Sequence, residues 1–170
     1  MVEAIREKTG RPATSTATAI VNAFRVLGTR KVVLASPYEQ LFNDLERKFL
    51  AEVGVEVLRD RALALPVPEG MCGATPEVWI QTVMEARHPD ADTYFLSCTN
   101  IQSVDAITEL EARLGKPVVT SNQASLWYCL RSCGIADTIA GLGRLMSLAL
   151  PAAAANAGAG EKRAPDSLAA

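Results

Sequence analysis

The sequence predicts an α/β fold: a parallel sheet of four strands with helices on both faces. Two observations carry this. Short apolar runs of strand length alternate with longer segments of helical period, and Ser, Thr, Pro and Gly fall where helices start and stop. A third supports it: at 49% hydrophobic and 21% charged, the 170-residue chain holds enough apolar side chain for one ordinary domain core.

The first 28 residues read as two helices, with Thr14-Ser15-Thr16 as a possible cap of the second and Gly28 as its stop. No strand precedes them. A parallel-sheet protein usually begins with a strand, so an N-terminal part is expected to be absent. Val32-Val33-Leu34-Ala35 is a first strand apolar on both faces. Ser36 and Pro37 then suit the N-cap and first position of a helix, whose apolar face is Leu41, Leu45, Phe49 and Leu50 and which Gly54 ends. Val55 to Leu58 is the second strand, followed by a Pro- and Gly-containing loop over 59–74. Thr75-Pro76-Glu77 opens a helix to about Arg87, and Tyr94 to Ser97 is the third strand. A helix over 103–114 stops at Gly115 and Pro117, and Val118-Val119-Thr120 is the fourth strand. Ser121 and Asn122 cap a helix reaching Cys133-Gly134, and a last helix is expected over 137–150. The Ala- and Gly-rich tail, 151–170, is expected to be disordered.

Charge and composition exclude several classes. The net charge is −2 and no basic run occurs, which argues against a nucleic-acid partner. The longest apolar stretch, 139–155, is interrupted by Gly141, Gly143, Arg144 and Pro151, so a membrane span is not expected. The N-terminus lacks the basic-then-apolar order of a secretory signal, and a cytoplasmic location follows by default. Cys72, Cys98, Cys129 and Cys133 form no CxxC pair, and the single His88 is far from most of them in sequence. Free thiols are therefore expected in place of a disulfide frame, with no metal site. No Gly-rich phosphate loop is present, which argues against a nucleotide cofactor.

In open parallel sheets, ligands bind beyond the carboxyl ends of the strands. Three such ends here carry small polar groups: Ser36-Pro37-Tyr38, Ser97-Cys98-Thr99-Asn100 and Thr120-Ser121-Asn122-Gln123. Together they read as an anion pocket containing a thiol. Cys98 is expected just before a helix, where free N–H groups stabilise a thiolate able to give or take a proton on carbon. A small buried core residue is the other reading of Cys98. Tyr38 reads equally as a carboxylate ligand or as a helix-start aromatic. Cys129 and Cys133, four apart, read as core packing, Cys72 as an incidental loop thiol, and Trp79 and Trp127 as core. His88 reads as a helix-end residue. Asp105, Glu109 and Glu111 read as a solvated helix face.

Three of these segments resemble the aspartate/glutamate racemase superfamily: Ala35-Ser36-Pro37-Tyr38, Leu96-Ser97-Cys98-Thr99-Asn100, and Gly115-Lys116-Pro117-Val118-Val119-Thr120-Ser121-Asn122-Gln123. They are most similar to its branch of maleate cis-trans isomerases, arylmalonate decarboxylases and ectoine-utilisation racemase-like proteins, over about residues 5–148. The resemblance implies a flavodoxin-like sheet equivalent to the second lobe of a two-lobed racemase-type fold, with the active site between lobes. Residues 1–29 would be a helical remnant of the first lobe, 30–134 the second lobe, and 135–150 a C-terminal helix.

It further implies a cofactor-independent, cysteine-based isomerase or racemase acting on a small dicarboxylate or α-substituted carboxylate. An arylmalonate-type decarboxylase, an ectoine-utilisation protein or a non-catalytic carboxylate-binding remnant are the alternatives. Cys98 matches the second-lobe catalytic cysteine, Tyr38 the tyrosine that binds a substrate carboxylate, and Thr99 the contacts to the same anion. Pro37 and the Ser121-Asn122 turn complete the expected site. The first-lobe cysteine motif has no match, and Leu65-Pro66-Val67-Pro68-Glu69 stands where the isomerases carry an amide for substrate. The partner expected is therefore a separate first-lobe chain or a second copy. Without one, Tyr38, Cys98 and Ser121 would face solvent, and the helices of 1–28 and 121–150 would expose apolar surface.

Overall fold

A computed structural model describes residues 1–67 and 69–151. The expected tail lies outside the described residues, apart from Pro151. Four strands, β1 (Lys31–Ser36), β2 (Glu56–Ala62), β3 (Thr93–Leu96) and β4 (Val118–Thr120), form one parallel sheet in the order β2-β1-β3-β4. The sequence thus yields the fold class it predicts. β1 and β3 are central and buried on both faces, as their unbroken apolar runs require.

Among the described residues, seven α-helices surround the sheet: α1 (Val2–Thr9), α2 (Thr16–Leu27), α3 (Gln40–Glu52), α4 (Glu69–Gly73), α5 (Pro76–Ala86), α6 (Ala106–Leu114) and α7 (Ser121–Ser132). α2 starts at Ser15, whose hydroxyl accepts the Thr18 N–H at 3.2 Å, and stops at Gly28, which takes a left-handed φ of 69°. α2 and α7 pack together on one face, while α5 and α6 pair on the other. Phe24 of α2 meets Phe95 of β3 edge-on, with ring centroids 5.4 Å apart. Trp79 and Trp127 are fully buried, as expected of core residues.

Several expected boundaries move, for identifiable reasons. β2 continues to Ala62, past the expected loop start: Arg59 and Arg61 are exposed on one face of this edge strand, while Asp60, on the other, is bonded by Gln40, Asn43 and Arg47 of α3. Ser36 ends β1 instead of capping α3, which begins at Gln40. The Ser36 hydroxyl bonds Asn43 Oδ1 and accepts the Tyr38 N–H at 3.2 Å. α6 begins at Ala106, three residues later than expected. α7 is capped by Thr120: its hydroxyl accepts the Gln123 N–H, and Gln123 Oε1 accepts the Thr120 N–H, both at 3.1 Å.

The helix expected over 137–150 does not form, apart from one 3-10 turn, Arg144–Ser147. Gly141 and Gly143 take left-handed φ of 84° and 64°, and the Arg131 side chain takes up the carbonyls of Ile135 at 2.7 Å, Asp137 at 3.1 Å and Leu148 at 3.0 Å. Glu111, read as part of a solvated face, instead receives the backbone N–H groups of Val118 at 3.0 Å and Arg144 at 3.0 Å. Cys129 and Cys133 are exposed and not in the core, because α7 buries the face carrying Gln123, Ala124 and Trp127.

α3 departs furthest from its pattern. Leu41, Leu45 and Phe49, the expected buried stripe, are 64%, 52% and 37% exposed, while Asn43 and Leu50 are buried. The helix turns its polar residues Asn43 and Glu46 toward the strand ends. Asn43 bridges Ser36 and Asp60, and Asp60 also binds Arg47 and Gln40. A buried polar network thus fixes the rotation of α3 against the usual hydrophobic preference.

Candidate active site

Strand order reverses between β1 and β3, since the chain leaves β1 toward β2 and then returns to the other side. Crevices beyond the carboxyl ends of strands at such a switch point bind ligands. Here a cavity of about 350 Å³ lies at that place, lined by Thr16, Ala17 and Ile20 of α2, Tyr38 after β1, Glu46, Phe49 and Leu50 of α3, and Phe95 to Thr99, with Ser121 of α7. Leu96 is not part of the wall.

Four of the six expected site residues meet there: Tyr38, Cys98, Thr99 and Ser121. Pro37 is a buried turn whose carbonyl accepts the Leu65 N–H at 2.8 Å, outside the cavity wall. Asn122 stands behind it, donating from Nδ2 to the Thr99 carbonyl at 3.2 Å and so holding the loop after β3 against α7. Among the described residues of the expected amide segment, Leu65, Pro66, Val67 and Glu69 do not line the cavity.

Cys98 is the only buried one of the four free cysteines. Its backbone φ of 139° lies where side-chain-bearing residues are strained, a cost of about 1–3 kcal/mol that persists only when surroundings enforce it. The enforcing groups are visible: the Cys98 N–H donates to Ser121 Oγ at 3.1 Å, and the Asn100 N–H donates to Cys98 Sγ at 3.2 Å. The expected helix does not follow Cys98 directly; α6 starts eight residues later, and the nearby helix start is that of α7. An N–H of the tight turn thus serves the sulfur in its place.

Cys98 and Ser121 are buried, 6% and 3% exposed, and Tyr38 is half-buried, so they do not face open solvent as expected. The reason is α2, which packs on α7 and roofs this end of the sheet. The apolar surface that is exposed lies chiefly on α3, with Phe42 51% exposed beside Leu41, Leu45 and Phe49. Ile5, Leu126, Ile135 and Ile139 supply smaller exposed patches on the expected helical regions.

Burial pushes the Tyr38 phenol well above its ordinary range, and its hydrogen bond with Cys98, with the charges of Cys98 and Glu46, adds to this. The neutral phenol is thus favoured, and its O–H can donate a hydrogen bond to an anion. The Tyr38 ring packs against Phe42 at a tilt of 55°, with centroids 5.9 Å apart. Glu46 went unnoticed in the sequence, because a charged residue amid an amphipathic helix reads as solvated. Its carboxyl is pushed up by burial, an effect the Ser97 hydroxyl bond partly opposes. Among the described residues the cavity lining includes no Lys, Arg or His, so an anion within it would be held by hydroxyl and N–H donors. Among the described residues no group of three or more His, Cys, Asp or Glu side chains is arranged to hold a metal ion, and no helix is long and apolar enough to cross a membrane.

The chain is 38% identical over 133 residues to an arylmalonate decarboxylase of Bordetella bronchiseptica, covering 77% of this chain and 55% of that protein. It is 29% identical over 137 residues to a maleate isomerase of Pseudomonas putida, covering 80% of this chain and 55% of the relative. Among solved structures, the crystal structure of arylmalonate decarboxylase superposes with a TM-score of 0.80 at 36% identity, over 85% of this chain and 65% of that one. A maleate isomerase from Pseudomonas putida S16, solved with maleate, superposes with a TM-score of 0.82 at 25% identity, over 86% and 61%. The chain thus spans about half the length of the curated relatives it matches. The arylmalonate decarboxylase family model matches residues 1–146, and with these likenesses it establishes that the chain belongs to the arylmalonate decarboxylase family.

Proposed function

We propose that this chain is the lobe carrying the catalytic thiol of a cofactor-independent enzyme acting on a small carboxylate, and that Cys98 is the proton donor to carbon. The observation that carries this reading is the strained, buried Cys98 held between Ser121 and Asn100 at the wall of a cavity whose lining includes no Lys, Arg or His among the described residues. Tyr38, Thr99 and Ser121 supply the donors for a carboxylate, and Ile20, Phe49, Leu50 and Phe95 supply an apolar side for a hydrophobic substituent.

That division fits an α-substituted malonate. One carboxylate would leave as CO₂, and the electron pair of the broken C–C bond would pass into an enediolate. The hydroxyl donors stabilise the growing charge on its oxygens. The Cys98 S–H then delivers its proton to the α-carbon, and the thiolate recovers a proton from water. Maleate isomerisation is the second reading, favoured by the maleate isomerases among the relatives. There Cys98 would be one of two thiols facing the substrate.

The relatives carry close to half their length beyond the matched region. The exposed row Leu41, Phe42, Leu45 and Phe49 adjoins the same cavity. Closure there by a first lobe, or by a second copy of this chain, would bury that row, and residues 1–29 would connect to that lobe. A cytoplasmic site of action fits four unpaired thiols.

The test is turnover by the purified chain and its Cys98→Ala variant. Phenylmalonate decarboxylation is followed by CO₂ release and maleate loss by ultraviolet absorbance. Turnover of phenylmalonate abolished by the substitution supports the decarboxylase reading, and turnover of maleate alone supports the isomerase reading. Turnover unaffected by Cys98→Ala overturns both.

A further inference from the structure

We propose that Glu46 sets the charge the cavity accepts: as a neutral acid it admits an anion beside Cys98, and once ionised it turns that anion away. This rests on the reading of Cys98 and its cavity given above and adds a specificity-determining residue to it. Glu46 sits on the cavity wall with Cys98, Tyr38 and Ser97. One of its oxygens accepts the Ser97 hydroxyl, and the other, Oε2, is buried with no hydrogen-bond partner. A carboxylate with a bare buried oxygen is poorly solvated, whereas a carboxylic acid tolerates that place far better.

Among the described residues that line the cavity, none offers Glu46 a counter-charge. Glu46 shares the cavity wall with Thr16, Ala17 and Ile20 of α2, Tyr38 just after β1, Ser97 and Cys98 at the end of β3, and Ser121 of α7. Of these only Tyr38 and Cys98 titrate, and both become anions. On its own helix, Arg47 is committed to Asp60 at 2.6 Å and Lys48 is exposed. Burial pushes the carboxyl in the direction this geometry requires. The rotation of α3 set by the Ser36–Asn43–Asp60 network thus places Glu46 on the cavity wall while Leu41, Phe42 and Leu45 stay outside it.

The experiment needs no turnover, so it stands apart from the test of the catalytic reading. Cys98 alkylation is followed by peptide mass spectrometry with iodoacetate, an anion, and iodoacetamide, its neutral counterpart, from pH 5 to 9. The ratio of the two rates cancels the thiolate fraction, and exposed Cys72, Cys129 and Cys133 serve as internal references. In the native chain the iodoacetate-to-iodoacetamide ratio at Cys98 should fall about tenfold as pH rises, the size expected for a new charge a few ångströms away in a partly screened site. In E46Q, which keeps an acceptor for Ser97 and is neutral throughout, the ratio should stay flat. In Ser97→Ala, which removes the bond that favours ionisation, the fall should move to higher pH. A native ratio that is flat, or an E46Q ratio that falls as the native one does, overturns the proposal. If E46Q does not fold, the direction of the Ser97→Ala shift decides.

Discussion

The backbone N–H of Cys98 donates to the side-chain oxygen of Ser121 at 3.1 Å, joining the end of β3 to the first residue of α7 across 23 positions of sequence. The bond exists because Thr120, not Ser121, caps α7, leaving the Ser121 hydroxyl free to accept it. Ser121→Ala would strand a buried donor, which costs about 1–3 kcal/mol. Denaturant unfolding should show that loss, with the Cys98 alkylation rate altered as its turn relaxes. An unchanged unfolding midpoint would mean that the bond holds nothing in place.

The φ of 139° at Cys98 yields a second expectation. Glycine takes positive φ without steric penalty, whereas alanine keeps the strain. Cys98→Gly should therefore be more stable than Cys98→Ala by about 1 kcal/mol, net of the extra freedom glycine gives the unfolded chain. Both should lack turnover. Equal stability of the two would remove strain from the account of this turn.

Two half-buried carboxyls, Glu46 of α3 and Asp60 bonded to that helix, move in opposite directions, and stability should follow. Burial alone would push Asp60 up, but the bonds from Gln40, Asn43 and Arg47 outweigh it and hold it below the usual carboxylate range. A depressed carboxyl contributes stability above its unfolded pKa, and this is lost as pH falls through the folded value. Glu46 is raised, so its contribution is full below the unfolded pKa and is lost as pH rises through the folded value. Asp60→Asn should thus flatten the acid limb of a melting-temperature profile. Glu46→Gln should raise the melting temperature near neutral pH and leave it unchanged well below pH 4. A Glu46→Gln profile parallel to the native one would contradict the direction assigned to that carboxyl.

How far the sequence discloses all this depends on whether a feature is local. β1, β3 and β4 are buried on both faces, so their apolar runs announce them, and Cys98 and Tyr38 follow from standing at strand ends. Glu46 was not legible because helical periodicity assigns the inward face to Leu41, Leu45 and Phe49. What rotates the helix instead is a tertiary network, Ser36 to Asn43 to Asp60, whose members lie on three different elements. The capping box was legible in principle: Thr120 and Gln123 stand three apart, a spacing that favours Thr120 over Ser121 as the cap. The 137–150 segment misled because its apolar residues resemble a helix, while its path is set by glycines and by an arginine several residues upstream.

That arginine gives the last expectation. The Arg131 guanidinium donates to the carbonyls of Ile135, Asp137, Met146 and Leu148, and Trp127 Nε1 donates to Leu148 at 2.8 Å. The segment 135–148 has little regular structure to satisfy its own carbonyls, so these bonds take the place of a helix ladder. Gly143 lets the strap approach α6: a Cβ there would lie 2.6 Å from Ile107 Cγ2 and 2.8 Å from Glu111 Oε1. Arg131→Ala should free several carbonyls at once, and hydrogen exchange and limited proteolysis across 135–148 should accelerate about tenfold or more, while amides of β1 and β3 keep their protection. Gly143→Ala should loosen the same stretch through the clash and its φ of 64°. If either substitution instead slows exchange there, the strap is held by its own apolar residues, Leu142, Leu145 and Met146, and the arginine is incidental.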